Sequence, residues 1–168
     1  AGKGKLPRIL VLAAGGGIMR TVQATRAASD TELLRQSRAR LERMRAQGSA
    51  TVEVKSGYGL DVDTELRILR LLPALARETG LRLVPTFLGA HALPAEYAGR
   101  AGAYVDLVVE EMLPRAVGLA GYCDVFCDQG AFTLEQTARV LRRAQQLGMG
   151  VKVHADEFAA LGATELAV

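Results

Sequence analysis

The sequence predicts an α/β fold built on a parallel sheet, with about four strand–helix units of a (β/α)8 barrel. Helical and strand patterns alternate along the 168 residues. The strand ends recur at roughly 30 to 40 residues, the size of one strand–helix unit. Polar side chains follow one strand end after another, which favours a barrel, because all its strand ends open on one mouth. A complete doubly wound domain also fits this length, but it would concentrate its chemistry at one switch point.

Four helices are predicted from apolar periodicity and from the residues at the helix ends. Ser29 with Glu32 predicts a capping box at the start of the first helix. Thr133 with Gln136 predicts a second capping box. Pro73 predicts a kink, because proline lacks the amide hydrogen that a helix interior uses. The helices are predicted over 29–48, 61–80, 104–112 and 133–148, and a further helix is expected to start within 157–168.

Four short apolar runs between these helices predict the strands. Pro85 lies inside one run and requires a bulge or an unpaired position there. In another run, Cys123, Val125 and Cys127 share one face by their period-two spacing. The two cysteines are therefore predicted to be small buried hydrophobic residues rather than a metal pair, and so small a number argues against a disulfide scaffold. The strands are predicted over 50–55, 81–87, 123–127 and 150–156.

Composition excludes several classes of function. The net charge is +3, from 21 basic and 18 acidic residues that are interleaved along the helices. With only 5% aromatic residues, the chain lacks the basic and aromatic surface of a nucleic-acid-binding protein. No apolar run is long enough to span a bilayer. The apolar stretch from Ile9 to Ala14 follows basic residues, but it is too short for a secretory signal and no cleavage pattern follows it.

The two histidines are the strongest candidates for chemistry. His91 falls just past one predicted strand, His154 lies near the end of another, and Glu157 lies three residues beyond His154. A single histidine is more often structural, but two at one barrel mouth, beside a carboxylate, favour a metal or catalytic role. The spacing H-x-x-E is weak by itself, because it supplies one ligand where a catalytic zinc usually has about three.

The glycine-rich stretch AAGGGIMRT (13–21) suggests an alternative. An apolar run before three glycines could be a strand that leads to a phosphate-binding turn. The stretch lacks the G-x-G-x-x-G spacing, so a flexible loop or a loop that covers the substrate is favoured. The alternative function is a self-contained doubly wound domain that binds a nucleotide or another phosphate-bearing ligand.

Specific motifs occur in five stretches of the chain. They are GGGIMRTVQATRAAS (15–29), EVKSGYGLD (53–61), TFLGAHALPAEY (86–97), DVFCDQGAF (124–132) and KVHADEF (152–158). In this order they resemble the imidazolonepropionases, a family of the amidohydrolase superfamily. The resemblance covers nearly the whole chain and implies part of a (β/α)8 barrel of the metal-dependent amidohydrolase kind. It implies a hydrolase of histidine degradation that opens the ring of 4-imidazolone-5-propanoate, giving N-formimidoyl-L-glutamate.

The resemblance also implies roles for individual residues. His154 matches a metal ligand, and the cofactor is one divalent ion, zinc or iron. Glu157 matches the catalytic carboxylate that contacts the substrate ring and assists the attacking water. Tyr58 and His91 match substrate-binding residues. The expected partners are a small-molecule substrate and, in the intact enzyme, a second copy of the chain; neither nucleic acid nor membrane is expected, and the expected location is the cytoplasm.

Some parts of the family pattern are absent from the chain. The H-x-H pair and the arginine that binds the substrate carboxylate would precede it, and a later histidine and a metal-binding aspartate would follow it. Asp128 stands where the family usually has glutamate. The expectation is therefore a single partial barrel domain over 1–168, truncated at both ends and inactive alone. An amidohydrolase that acts on another cyclic amide remains an alternative.

Overall fold

The computed structural model describes residues 17–167 and contains helices that alternate with strands. The strands are β1 (Thr51–Lys55), β2 (Arg82–Ala90), β3 (Tyr122–Phe126) and β4 (Gly150–His154). The α-helices are α1 (Ile18–Ala27), α2 (Asp30–Ala46), α3 (Val62–Thr79), α4 (Ala101–Leu107), α5 (Leu113–Ala116) and α6 (Leu134–Gln146). A π-helix (Val108–Met112) joins α4 to α5, and short 3₁₀ helices cover Ala95–Tyr97 and Ala163–Ala167. The apolar stretch Ile9 to Ala14 and the first two of the three glycines lie outside the described residues.

The four strands form one parallel sheet in which each strand pairs with the next along the chain. The order is β1-β2-β3-β4, and the β3–β4 register runs from Tyr122 with Gly150 to Phe126 with His154. Since crossovers between parallel strands are almost always right-handed, an order that never reverses places the crossover helices on one face. The prediction of a parallel α/β sheet is confirmed. Among the described strands there is no reversal of order, and hence no switch point of the kind that the doubly wound alternative requires.

The hydrophobic core lies between the sheet and these helices. On β2 and β3, Phe87, Cys123 and Val125 are completely buried on the helix-facing side, as is Cys127 just beyond β3. The two cysteines are free and buried, which confirms the prediction of small hydrophobic residues. Each fully buried large apolar side chain contributes about 1.5–3 kcal/mol to stability. The helices contribute buried apolar side chains that include Leu66, Leu69, Met112, Val140 and Leu141.

Charged residues occupy the opposite face of the sheet. By the period-two alternation of strands, this face carries Glu53 and Lys55 on β1, Asp124 on β3, and Lys152 and His154 on β4. Four of these side chains remain between 29% and 40% exposed, whereas Asp124 is only 1% exposed. The sheet is therefore apolar toward its helices and polar on its other side.

The helix ends agree closely with the predicted signals. The Ser29 hydroxyl caps α2, and Thr133 with Gln136 forms a complete capping box at α6. The second half of the Ser29 box is absent, because the Glu32 carboxylate instead accepts hydrogen bonds from neighbouring side chains of its own helix. Gly80 ends α3 in the left-handed conformation, with φ of 67°.

Pro85 lies in β2 without costing the sheet a ladder hydrogen bond. Its carbonyl faces β3 and accepts from the amide of Gly121, before the β2–β3 ladder starts at Thr86 with Tyr122. The missing amide hydrogen therefore falls at an unpaired position, which was one of the two possibilities predicted. The irregularity in β2 lies further along, between Phe87 and Ala90.

The prediction of a helix that starts within 157–168 is wrong. Residues 155–162 form bends and irregular backbone, and the 3₁₀ helix Ala163–Ala167 follows. Asp156 has a φ of 59°, which is incompatible with a right-handed helix. The amides of residues 157–159 all bond to one distant acceptor, the Asp128 carboxylate. A long-range contact that the local sequence does not reveal therefore decides this segment.

Two further helices differ from the sequence analysis. The segment predicted over 104–112 is helical over 101–116 and contains the π-helix, while α1 was not predicted as a helix at all. In α4 the buried Tyr104 hydroxyl donates to the Gly89 carbonyl at 2.8 Å, which fixes the helix to the irregular end of β2. Throughout residues 17–167, every helix is too short or too polar to cross a membrane.

Candidate active site at the carboxyl edge of the sheet

The residues singled out from the sequence follow the carboxyl ends of three strands. Tyr58 lies three residues after β1, His91 directly follows β2, His154 is the last residue of β4, and Glu157 lies in the loop after β4. Because all four strands are parallel, these positions share one edge of the sheet, where a barrel carries its active site.

A row of aromatic rings connects these positions. The rings of Tyr58 and His91 meet edge to face, with centroids 5.3 Å apart. Phe126 lies between the two histidines, and its ring centroid is 6.2 Å from each of theirs. Phe158 contacts the same Phe126 ring at 6.2 Å. Tertiary structure thus brings residues that lie far apart in the sequence into one continuous cluster.

The backbone of the turn after β1 orients His91. Its Nδ1 lies 2.9 Å from the carbonyl oxygen of Gly57. Since a carbonyl can only accept, Nδ1 carries the proton and Nε2 is left as an acceptor. Burial lowers the pKa of His91, and the nearby His154 acts in the same direction, against the Gly57 carbonyl, which raises it. The imidazole is therefore favoured in its neutral form.

A buried carboxylate from α3 holds the turn that contains Tyr58. Glu65 is completely buried, and its carboxylate accepts from the amides of Gly57, Gly59 and Leu60 at 2.7, 2.7 and 2.8 Å. Hydrogen bonds of this kind to an ionised acceptor are shorter and stronger than those between neutral groups. The turn is therefore fixed on both sides of Tyr58.

His154 lies against a second buried carboxylate. Its Nδ1 is 2.9 Å from Oδ2 of Asp124, and the Lys55 ammonium is 2.6 Å from the same oxygen. Burial acts to raise the pKa of Asp124, but the contacts with His154 and Lys55 outweigh it and hold the pKa below its usual range. Asp124 is thus an anion that lies against Nδ1 of the imidazole, so Nε2 is the ring nitrogen on the far side of this contact.

Asp128 organises the loop that contains Glu157. Its carboxylate accepts from the backbone amides of Glu157, Phe158 and Ala159 at 2.8, 2.8 and 3.0 Å, and from that of Gln129 at 2.6 Å. Burial acts to raise the pKa of Asp128, but these four hydrogen bonds outweigh it and lower the pKa. Asp128 therefore has a structural role, because its carboxylate holds the loop after β4 against the end of β3.

Among residues 17–167, His154 is the candidate metal ligand at this edge. Nδ1 of His154 lies 2.9 Å from the Asp124 carboxylate, which leaves Nε2 as the nitrogen that could bind a metal. Within the described range 17–167, no group of three or more histidine, cysteine or acidic side chains could hold a metal ion. His154 therefore fits one position in a ligand set but does not form a site by itself.

Sequence reasoning did not identify Asp124, Phe126 or Glu65 as functional. A signal was available for the first two, because Cys123 and Val125 were assigned to one face of β3 and the residues alternating with them must lie on the other. Glu65 carried no such signal, since an acidic residue in the first turn of a helix is usually explained by the helix dipole. Only its burial identifies it.

The chain is similar to known proteins over nearly its whole length. The chain is 52% identical to the imidazolonepropionase of Herpetosiphon aurantiacus in an alignment of 169 positions, which covers 94% of this chain and 39% of that protein. It is 53% identical over 160 residues to the imidazolonepropionase of Symbiobacterium thermophilum, covering 94% of this chain and 38% of that protein. The resemblance to the imidazolonepropionases is confirmed.

The imidazolonepropionase of Alkaliphilus metalliredigens is similar to the same extent, with 49% identity over 164 residues that cover 96% of this chain. The chain spans 38–39% of the length of these three curated relatives. No family model matches the chain. The similarity to imidazolonepropionases therefore rests on direct comparison with individual proteins.

Proposed function

We propose that the chain forms part of an imidazolonepropionase, which hydrolyses 4-imidazolone-5-propanoate to N-formimidoyl-L-glutamate. The observation that carries this proposal is the identity of about half of the residues with proteins of that name over 94% of the chain. The convergence of Tyr58, His91, His154 and Glu157 on one edge of the sheet supports it.

Substrate binding falls to Tyr58 and His91. Their rings are in contact at the edge of the sheet, and Tyr58 is 38% exposed, which leaves part of its side chain accessible to a ligand. With the proton of His91 on Nδ1, Nε2 accepts a hydrogen bond from a ring N–H of the substrate. The two side chains orient the ring for attack by water, which is the positioning that makes such a reaction effectively unimolecular.

The chemistry at the other end of the row falls to His154 and Glu157. We assign one divalent cation, zinc or iron, as the cofactor, with Nε2 of His154 as one ligand; when bound, it lowers the pKa of water from 15.7 to about 7. The Asp124 carboxylate lies 2.9 Å from Nδ1 of His154, which leaves Nε2 for the metal. Glu157 takes a proton from the attacking water and delivers it to the departing ring nitrogen.

A (β/α)8 barrel is the architecture that best accounts for the polar face of the sheet, with residues 1–168 as one partial domain of it. Parallel sheets are normally covered on both faces. In the described sheet the strands follow one another in sequence order, which places the crossover helices on one side. The opposite side bears partly exposed charged side chains. Closure of the sheet on itself encloses that face, and a barrel has no strand edges.

Two properties of the intact protein complete the proposal. Two free, buried cysteines are typical of a reducing compartment, which supports a cytoplasmic location. We also propose a homodimer for the intact enzyme, as the resemblance implies. Sedimentation of the intact protein tests the second of these directly.

The proposed function is tested in a segment-exchanged enzyme, in which residues 1–168 replace the matching segment of the Herpetosiphon aurantiacus imidazolonepropionase. We expect it to open the ring of 4-imidazolone-5-propanoate, measured by loss of the substrate's ultraviolet absorbance. Glu157→Gln should lower kcat by about 10²–10⁴-fold, because proton transfer is lost. A folded segment-exchanged enzyme that leaves this substrate intact, or that prefers another cyclic amide, contradicts the proposal.

A further inference from the structure

We propose that Glu65 is a positioning residue for the substrate-binding pair Tyr58 and His91. The inference rests on the proposed function, which assigns substrate binding to that pair. Glu65 belongs to α3 and is completely buried, so it acts through the backbone of the turn 57–60 rather than by contact with substrate.

The carboxylate and the turn depend on each other. Oε2 accepts from the Gly57 amide, and Oε1 accepts from the amides of Gly59 and Leu60, so one side chain holds both flanks of Tyr58. A buried charge without partners is strongly unfavourable. The three amides therefore satisfy the carboxylate, and the carboxylate in turn determines where those amides lie.

The turn has a conformation that the chain would not adopt without such a partner. Gly57 has a φ of 90°, and Leu60 has a φ of 55°, which is unfavourable for a side chain of this kind. A Cβ atom added at Gly59 would lie only 2.8 Å from the Glu65 amide nitrogen. Helix α3 and the turn are thus packed in direct contact, and the conformation of the turn is held by Glu65.

Both members of the pair take their positions from this turn. The Gly57 carbonyl accepts from Nδ1 of His91 at 2.9 Å, and the Tyr58 ring contacts the His91 ring. Ser56, the residue before the turn, accepts from the Leu88 amide and so connects the turn to β2. A displacement of Gly57 consequently moves both rings that face the substrate.

The first test is Glu65→Gln in the segment-exchanged enzyme. A glutamine presents an NH₂ group to amides that also donate, so at least one hydrogen bond to the turn is lost. We expect KM for 4-imidazolone-5-propanoate to rise about tenfold or more, with kcat changed less than about threefold. A purely structural role would instead reduce the fraction of active enzyme, which lowers apparent kcat and leaves KM unchanged. An unchanged KM overturns the inference.

Glu78→Gln is the matched control. Glu78 belongs to the same helix but is exposed and paired with Arg38. We expect both kinetic constants to remain within about twofold of those of the unaltered enzyme, since exposed ion pairs contribute little to stability. A rise in KM as large as that of Glu65→Gln would show that the effect is not specific to the turn, and would overturn the inference.

A double-mutant cycle with Tyr58→Ala tests the route of the effect. If Glu65 acts by placing Tyr58 and its partner ring, Glu65→Gln should raise KM less in the Tyr58→Ala enzyme than in the unaltered one. Fully multiplicative effects of the two changes contradict that route. Should Glu65→Gln fail to fold, Glu65→Asp replaces it under the same criteria, because it keeps the charge and shortens the reach.

Amide hydrogen exchange separates failure of this inference from failure of the proposed function. Glu65→Gln should accelerate exchange in peptides that contain 57–60 by about tenfold or more while leaving α2 unchanged. This measurement needs no turnover. Loss of ring opening in the unaltered segment-exchanged enzyme refutes the proposed function alone, whereas unaltered exchange at 57–60 refutes the positioning role of Glu65.

Discussion

The ionisable residues at the carboxyl edge differ mainly in the partner that each one meets. His91 is half-buried beside a carbonyl, His154 lies against a carboxylate, and Asp124 lies between that imidazole and the Lys55 ammonium. The same residue type therefore has two different tasks. One imidazole is arranged as a neutral hydrogen-bonding group, and the other lies beside a buried anion.

Burial of His91 makes the stability of the chain depend on pH. Its folded-state pKa lies below the ordinary value of 6.5, so the unfolded state binds more protons as the pH falls. The stabilisation is complete above about 6.5 and is lost as the pH falls toward the folded-state pKa. We expect the free energy of unfolding in urea to decrease between pH 7.5 and 5.5.

His91→Gln is the variant that checks this assignment. It should be less stable than the unaltered chain at pH 7.5, because the contacts with Gly57 and Tyr58 are weakened. Its free energy of unfolding should nevertheless depend less on pH between 7.5 and 5.5. An equally steep dependence in His91→Gln would assign the effect to another group.

Asp124 is predicted to control metal affinity in the segment-exchanged enzyme. Asp124→Asn removes the charge that fixes His154 and leaves Lys55 without its buried partner. Loss of such a supporting carboxylate typically costs about 10–100-fold in metal affinity. Metal content after dialysis against a graded chelator series should decrease accordingly. Asp106→Asn, which alters an exposed pair with Arg139, is the control and should retain its metal.

Two loops at this edge are built on the same principle. The turn 57–60 is held by the Glu65 carboxylate from α3, and the loop 157–159 is held by the Asp128 carboxylate from the end of β3. In each case several backbone amides point at one buried anion. Loops that would be mobile as isolated segments thereby become rigid supports for the side chains between them.

Asp128→Asn should loosen the loop after β4. An asparagine replaces one acceptor oxygen by a donor, so some of the amides of 157–159 lose their partner, at a cost of about 1–3 kcal/mol. We expect hydrogen exchange of this loop to accelerate while α6 stays protected. Asp156→Asn is the control in the same loop, because asparagine tolerates the positive φ found there. Equal rates of amide hydrogen exchange in this loop in the two variants would contradict a specific role for Asp128.

The whole molecule combines an apolar face, covered by helices, with a charged face and two strand edges. In the described sheet, β1 and β4 each pair with one neighbour only. Unpaired strand edges favour association between chains. Closure into the proposed barrel would pair both of these edges.

The 168-residue chain by itself is predicted to be inactive, to bind zinc or iron weakly and to associate. One histidine ligand cannot hold a catalytic metal tightly, since about three protein ligands are usual. Light scattering coupled to size-exclusion chromatography should find oligomers, and the ring-opening assay should find no turnover. A monomer that turns over substrate would contradict both the partial-barrel proposal and the need for additional ligands.

How far the sequence predicted this protein depends on the range of the interactions involved. Local signals were sufficient for the caps at Ser29 and Thr133 and for the end of α3 at Gly80, since each involves residues within one turn of each other. They failed for the segment after β4. There the carboxylate of Asp128, some 30 residues away, accepts from the amides that would otherwise form the first turn of a helix.

By itself, the sequence determined the alternation of strands and helices, the parallel sheet and the family resemblance, because periodicity and motifs are written along the chain. It also placed Tyr58, His91, His154 and Glu157 at or after strand ends. Only the tertiary structure decided which groups are in contact. These contacts are the aromatic row through Phe126, the approach of Asp124 to His154, and the hydrogen bonds from the turn 57–60 to Glu65. The physical reason is that burial and long-range hydrogen bonding give a carboxylate its role, and neither is encoded in the residue type.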